Sequence, residues 1–180
     1  MLATRAIDRG VTSRAEAFSA LTDRHLDGAY RLAAVILGDA LEGEDAVHDA
    51  AVVAWSSFGQ LRDEARFDAW FGRIVINQCR DRLRARRRRP TVGLVGLVGQ
   101  PANGSVPDPS GPFAARDALE RAFAVLEPDE QIVVALRFWR DLTVDQIAER
   151  VSIPSGTVKS RLHHALGRLR TAIRVEEDER

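Results

Sequence analysis

Cysteine is almost missing from this chain. Cys79 stands alone, so neither an internal disulfide nor a cysteine-based metal cluster can form, and a reducing compartment is the simple expectation. Long apolar runs are missing too. No stretch reaches the roughly 18 apolar residues that cross a bilayer, and the opening MLATRAIDRGVTSRAEAF has no apolar run of the signal-peptide kind. A soluble, cytoplasmic protein without membrane insertion is therefore expected. An excess of either charge is lacking, since 26 Lys and Arg balance 26 Asp and Glu. Neutrality in total does not exclude a nucleic-acid partner, because clustering sets the local field. Catalytic signatures are missing as well. His25, His48, His163 and His164 show no zinc-hydrolase spacing, and there is no Walker-type glycine loop. Glu64 and Asp68 could pair as carboxylates, but nothing attaches a reaction to them. No enzyme, cofactor, metal or small-molecule substrate is expected. Cys79 lies at helical spacing among apolar residues and reads as a buried structural thiol.

What the chain does contain is helical periodicity. Ser13-Arg14-Ala15-Glu16 has the form of a capping box. Phe18, Leu21, His25, Ala29, Leu32, Ala33 and Ile36 follow at helical spacing, and Gly38 is a suitable stop. A second helix is predicted from about Glu42–Asp45, with Val47, Ala51, Ala54, Trp55 and Phe58 on its buried face. A polar connection from Gly59 to Glu64 leads to a third helix. That helix places Phe67, Trp70, Phe71, Ile74, Cys79 and Leu83 roughly on one side, runs into Arg86–Arg89 and stops at Pro90. From 91 to 112 the chain is rich in Gly, Pro and Val and nearly uncharged, which marks a linker. At up to roughly 3.3 Å per residue it can span several tens of ångströms. Beyond Phe113, Leu119, Ala122, Phe123 and Leu126 suit one helix. Pro128 opens the next, which carries Ile132, Val133 and Leu136 and closes at Trp139. Thr143-Val144-Asp145-Gln146 is a second capping box, with Val144, Ile147, Ala148 and Val151 facing a core. After Ser152-Ile153-Pro154, a last helix carries Val158, Leu162, Ala165, Leu166, Leu169 and Ile173. The expected fold is all-α. It has a flexible N-terminus (1–13), a helical domain (14–90), the linker (91–112), a second helical domain (113–174) and a tail (175–180).

The last helix pair is the strongest local signal. A short capped helix, a turn and a longer helix fit a helix-turn-helix. Off its apolar face the last helix presents Ser155, Thr157, Lys159, Ser160, Arg161, His163, His164 and Arg168. These donors suit phosphates and base edges in a major groove. An ordinary helical hairpin with a solvated basic face would show the same pattern, so the residues alone leave both readings open. On the second helix, Glu44, Asp45 and Asp49 lie within reach of one face. A negative stripe suits a basic partner, while the same acids also satisfy a helix N-terminus. For Phe67, Trp70 and Phe71, core packing is the ordinary reading against base stacking. For Arg86–Arg89 a solvated helix end stands against phosphate contact.

The runs DLTVDQIAER (141–150) and IPSGTVKSRLH (153–163) resemble region 4 of extracytoplasmic-function sigma factors. Leu37-Gly38-Asp39, Glu44 to Asp49 and Ala54-Trp55 resemble region 2 of the same family, and Phe67 to Leu83 resembles its minus-ten-reading segment. The resemblance spans nearly everything from Phe18 to Arg174, with both regions in the expected order. It implies a promoter-specific transcription initiation factor of the sigma-70 family that is not itself an enzyme. The implied partners are core RNA polymerase (its β′ clamp helices and β flap), promoter DNA and an anti-sigma factor. Implied polymerase-binding residues are Glu44, Asp45, His48 and Asp49. Implied minus-ten residues are Arg66, Arg73, Asn77, Arg80 and Arg84, with the base pocket near Phe58 to Arg66. Implied minus-35 residues are Ser155, Thr157, Lys159, Ser160, Arg161, His163 and His164. The linker resembles the segment that threads toward the RNA exit channel, and its lack of charge argues against acidic mimicry of RNA. Two positions depart from the family. His164 stands where arginine is frequent, and Ser152 replaces the glycine common in the turn, at little cost if residue 152 keeps a negative φ. Without the resemblance, a free-standing helix-turn-helix regulator, a protein-interaction module and an RNA-binding protein remain alternatives.

Overall fold

The structure is a computed structural model that describes the backbone of residues 2–88 and 119–178 and the side chains of 14–88 and 119–175. The linker at 91–112, the stop at Pro90, the domain start at Phe113, Arg89 and the side chain of Ser13 lie outside the described residues. Helix α1 spans Leu2–Leu37, α2 Ala40–Ser57 and α3 Phe67–Arg88. Single 3-10 turns at Phe58–Gln60 and Glu64–Arg66 join α2 to α3. Helix α4 covers 119–124. Helix α5, Pro128–Val134, runs on as a π turn over Ala135–Trp139, and α6 (Val144–Val151) and α7 (Ser155–Asp178) follow. No strand occurs among the described residues, in agreement with the all-α expectation.

α1 differs from its expected start. It runs unbroken through residue 13, so the capping-box pattern there is not a helix end. No proline interrupts residues 2–13, and an interior glycine such as Gly10 costs only about 1 kcal/mol, which an established helix tolerates. Its other end follows expectation. Gly38 takes φ +69°, and Asp39 then caps α2 by accepting from the Glu42 amide at 2.8 Å.

α2 lies against α1 through small residues. Gly43, Ala46, Val47, Ala50 and Ala54 are buried, and a Cβ on Gly43 would sit 2.7 Å from the Ala34 backbone nitrogen. Trp55, expected on this buried face, is exposed. Its ring instead meets Phe18 edge-on at 5.3 Å, with the Arg14 guanidinium over it at 5.3 Å. Tight helix crossing leaves no room for an indole in the seam, so it moves to the rim. Phe67 and Phe71 are wholly buried, 5.5 Å apart and stacked, which decides those two for core packing. Trp70 is only partly buried.

In the second domain Thr143 forms the expected capping box, with the Gln146 amide donating to its hydroxyl and the Gln146 side chain accepting from the Thr143 amide. Ser152 corrects an expectation. It sits at φ 57°, ψ 48°, the left-handed region. The turn into α7 needs that conformation so that the Ser152 and Ile153 amides can both reach the Ala148 carbonyl. Leu119, assigned to the apolar face of its helix, is exposed. Ala122, Leu126, Val134, Ala165 and Leu169 tie α4, α5 and α7 together. The two domains are not separate bodies here. Ile132, Val133, Leu136, Ile147, Ala148 and Val151 join Phe67, Phe71 and Val75 in one continuous apolar cluster, and α3 packs on α5 and α6.

Candidate nucleic-acid interface

α7 follows the turn as a long helix, and its apolar residues Val158, Ala165 and Leu169 are turned inward. That geometry leaves Lys159, Ser160, His163 and His164 exposed and Ser155, Thr157 and Arg161 half-buried. The Ser155 hydroxyl donates to the Asp145 carboxylate at 2.6 Å, which ties the helix start to α6. The Ser160 hydroxyl donates to the Thr157 carbonyl at 3.0 Å. The His163 and His164 rings meet edge-on at 5.8 Å. Arg161 is already engaged, 3.1 Å from Asp129. The expected minus-35 residues therefore share one helix, with Lys159, Ser160, His163 and His164 accessible and Ser155 and Arg161 engaged by Asp145 and Asp129.

The acidic face of α2 is also open. Glu44, Asp45, His48 and Asp49 are all exposed, and Val52 and Val53 extend the same side with exposed apolar surface. Asp49 is paired with Arg82 of α3. Glu42, at the start of this helix, pairs with Arg86, which also donates to the Leu37 carbonyl at 2.8 Å. Burial lowers the pKa of Arg86, and the Asp39 charge partly offsets this. Arg87 donates to Glu127 and, at 2.7 Å, to the Leu126 carbonyl. The Glu127 carboxyl is held below its ordinary range, first by the hydrogen bond from Arg87 and further by the charges of Arg87 and Arg168, against a smaller upward push from burial. Neither Arg86 nor Arg87 is a bare phosphate-binding cation.

Of the expected minus-ten residues, Arg73, Asn77, Arg80 and Arg84 lie on α3 and Arg66 in the turn before it, and the four arginines contact the second domain. Arg66 meets Glu149 at 2.9 Å. Arg73 donates to the Glu149 carbonyl at 3.0 Å. Arg80 meets Asp129 at 2.9 Å and donates to Asn77 Oδ1 at 2.7 Å, while Arg84 meets Asp129 at 3.5 Å. Beside them a cleft of about 630 Å³ is lined by Leu61, Arg62, Arg66, Trp70 and Arg73 from one domain and by Leu142, Gln146 and Glu149 from the other. Asp68 makes the reverse contact, accepting from Arg150 at 2.5 Å and from Arg140 at 3.4 Å, with His25 3.5 Å away. Burial pushes the Asp68 carboxyl up, but the hydrogen bond and charge of Arg150 and the charges of Arg140 and His25 outweigh it and hold it low. Sequence reasoning missed Asp68, Glu127, Asp129 and Glu149 as partners. The acids beside Pro128 stand at a helix start, where acidic residues are common, and contacts across the linker leave no local pattern.

Family comparisons match this two-part architecture. The family model described as Sigma-70 region 2 matches residues 21–89, and the one described as Sigma-70, region 4 matches residues 122–171. The ECF RNA polymerase sigma factor SigL of Mycobacterium tuberculosis is 32% identical over 93% of this chain and 94% of that protein. The chain belongs to the extracytoplasmic-function group of the sigma-70 family. As a sigma factor it is a transcription initiation factor and not an enzyme. The RNA polymerase sigma-E factor of Streptomyces avermitilis is 32% identical over 80% of this sigma factor and 78% of its own length. Among solved structures, the fold matches the sigma factor RpoE of Bartonella quintana, solved with the anti-sigma factor NepR. Its TM-score is 0.62 at 22% identity, covering 88% of this chain and 97% of that one. CnrH, solved with the cytosolic domain of CnrY, matches at TM-score 0.61 and 22% identity, covering 90% and 95%. No helix among the described residues is long and apolar enough to cross a membrane.

Proposed function

We propose that this sigma factor binds core RNA polymerase in the cytoplasm and directs transcription from promoters that carry a minus-35 and a minus-ten element. The carrying observation is that both regions of the family lie in order on one chain, each with a chemically suited face. In this reading Glu44, Asp45, His48 and Asp49 of α2 dock on the β′ clamp helices. The exposed acids, with Val52 and Val53 beside them, support it, since an apolar patch rimmed by charge is an interface signature. Ser155, Thr157, Lys159, Ser160, Arg161, His163 and His164 of α7 read the minus-35 element, and the second domain rests on the β flap. Arg66, Arg73, Asn77, Arg80 and Arg84 hold the opened minus-ten strand, where guanidiniums pair with phosphates. Two weak contacts on one chain then act as a bivalent reader. An anti-sigma factor that covers these faces belongs to the same proposal, and the fold neighbour solved with such a partner supports it.

The test adds the purified full chain to core polymerase and maps transcript starts on genomic DNA. Starts that share two spaced elements are expected. Failure to bind core would defeat the proposal. Lys159→Ala should lower initiation on every such promoter, whereas Glu44→Gln with Asp45→Asn should lower affinity for core polymerase itself.

A further inference from the structure

We infer that His163 and His164 link promoter recognition to protons: the pair takes up protons as α7 meets DNA, and promoter affinity rises as pH falls from about 8 to about 6. The inference deepens the minus-35 reading of α7 and rests on it. The two imidazoles are neighbours on that helix, both exposed, with ring centroids 5.8 Å apart. His163 stands one turn beyond Lys159, and His164 one turn beyond Ser160, both exposed as well. Residues four apart share a helix face, so DNA met by Lys159 and Ser160 also meets the two rings. Imidazole is the side chain that ordinarily changes charge between about pH 5 and 8. Neutral, it offers one donor and one acceptor; protonated, it offers two donors and a positive charge.

The charges around the pair favour this linkage. Lys159 and Arg161 precede it on α7 and Arg168 follows. A shallow groove of about 600 Å³ beside the rings is lined by Val125, Gly167, Arg168, Thr171 and Ala172, with no carboxylate in its wall. The acids of the elements packed on α7 are taken by other groups. At the start of α5, Asp129 holds Arg161, and Glu127 and Glu130 hold Arg168. On α6, Asp145 accepts from Ser155, Glu149 accepts from Arg66, and Arg150 is bound to Asp68. On α4, Glu120 and Arg121 have contacts of their own. In the free protein the rings thus sit beside cations and pair with no acid among the described residues. Like charges disfavour a protonated ring, and phosphates favour it. DNA presents a phosphate about every 3.4 Å along each strand, so docking adds anions beside both rings and protons follow. Protonation is favoured in the complex, so affinity is gained as pH falls through the imidazole range and is lost above it.

The test uses holoenzyme assembled from the full chain and core polymerase, with a labelled promoter duplex taken from the mapped starts. Fluorescence anisotropy gives Kd at about pH 6, 7 and 8, each across a salt series. The double variant His163→Asn, His164→Asn does not titrate in this range, so it records the pH dependence of everything else in the complex. Relative to it, wild type should gain roughly five- to tenfold in affinity between about pH 8 and about pH 6. Its salt slope should steepen over the same range by about one phosphate contact for each proton taken up. His164→Arg, which carries a fixed charge, should keep tight binding and a steep salt slope at about pH 8. Parallel pH profiles for wild type and the double variant overturn the linkage. So does a pH-dependent gain with an unchanged salt slope, because the proton is then not matched to a phosphate. The minus-35 reading is judged separately. If Lys159→Ala leaves promoter affinity intact at every pH, that reading falls and takes the linkage with it. If Lys159→Ala weakens binding while the wild-type and asparagine profiles stay parallel, only the linkage falls.

Discussion

Ser152 holds the left-handed conformation at the turn of the helix-turn-helix, with φ 57°. A residue with a Cβ pays about 1 kcal/mol or more there, while glycine pays no steric cost and loses part of that gain through its freer unfolded chain. Ser152→Gly should therefore stabilise the fold by roughly 0.5–1 kcal/mol, read as a higher urea midpoint at unchanged slope. An unchanged midpoint would mean that the serine relieves the strain in another way. The sequence flagged the departure at 152 but not its sign, because φ is set by where α7 must go and not by the residue. His164 was fully legible as an exposed polar residue of α7. Arginine there would add a fixed charge and a planar donor fork. His164→Arg should tighten promoter binding and steepen its salt dependence by about one phosphate contact. A salt titration with the polymerase complex measures this, and superimposable curves would mean that residue 164 does not face DNA. Cys79 answered its expectation directly: it is buried, and burial pushes its thiol up to about 12.

At the scale of elements, helices were readable wherever apolar residues recur at helical spacing, and the shared seams between helices were not. Gly43 carries no periodic signal, yet it sets how closely α2 crosses α1, since a Cβ would come 2.7 Å from the Ala34 nitrogen and 3.0 Å from its Cα. The obstacle is backbone, so neither helix can yield locally. Gly43→Ala should raise the helix propensity of α2 by about 1 kcal/mol and still destabilise the protein by roughly 1–3 kcal/mol net through overpacking. Thermal unfolding followed by circular dichroism checks it. Gly156→Ala is the matched comparison, because nothing lies within 4 Å of its added Cβ, and it should not destabilise by that route. The same limit explains Trp55. The periodic pattern put it in the seam, but the close crossing set by Gly43, Ala46 and Ala50 admits only small side chains, and the indole went to the rim.

For the whole molecule, the sequence showed two domains and left their relation open, since the contacts that close the interface join residues on either side of the linker. Its acid sensitivity follows from Asp68. Of the three side chains paired with this carboxylate, Arg140 and Arg150 come from the other domain and His25 from α1, and its folded pKa lies below the ordinary value. A carboxyl depressed on folding adds stability that is fully present above its unfolded pKa, about 3.9, and is lost as pH falls through the folded value. Wild type should therefore be more stable than Asp68→Asn from neutral pH down to about pH 5, and the difference should shrink below about pH 4 as Asp68 takes up its proton. Comparing the two proteins at each pH cancels the other acids. Glu127, depressed in the same direction by Arg87, remains in both and should keep the Asp68→Asn protein itself acid-labile. Urea midpoints for the pair between pH 3 and 7 measure the gap. A gap that stays constant across that range would mean that Asp68 contributes through shape alone and that its charge does not hold the domains together.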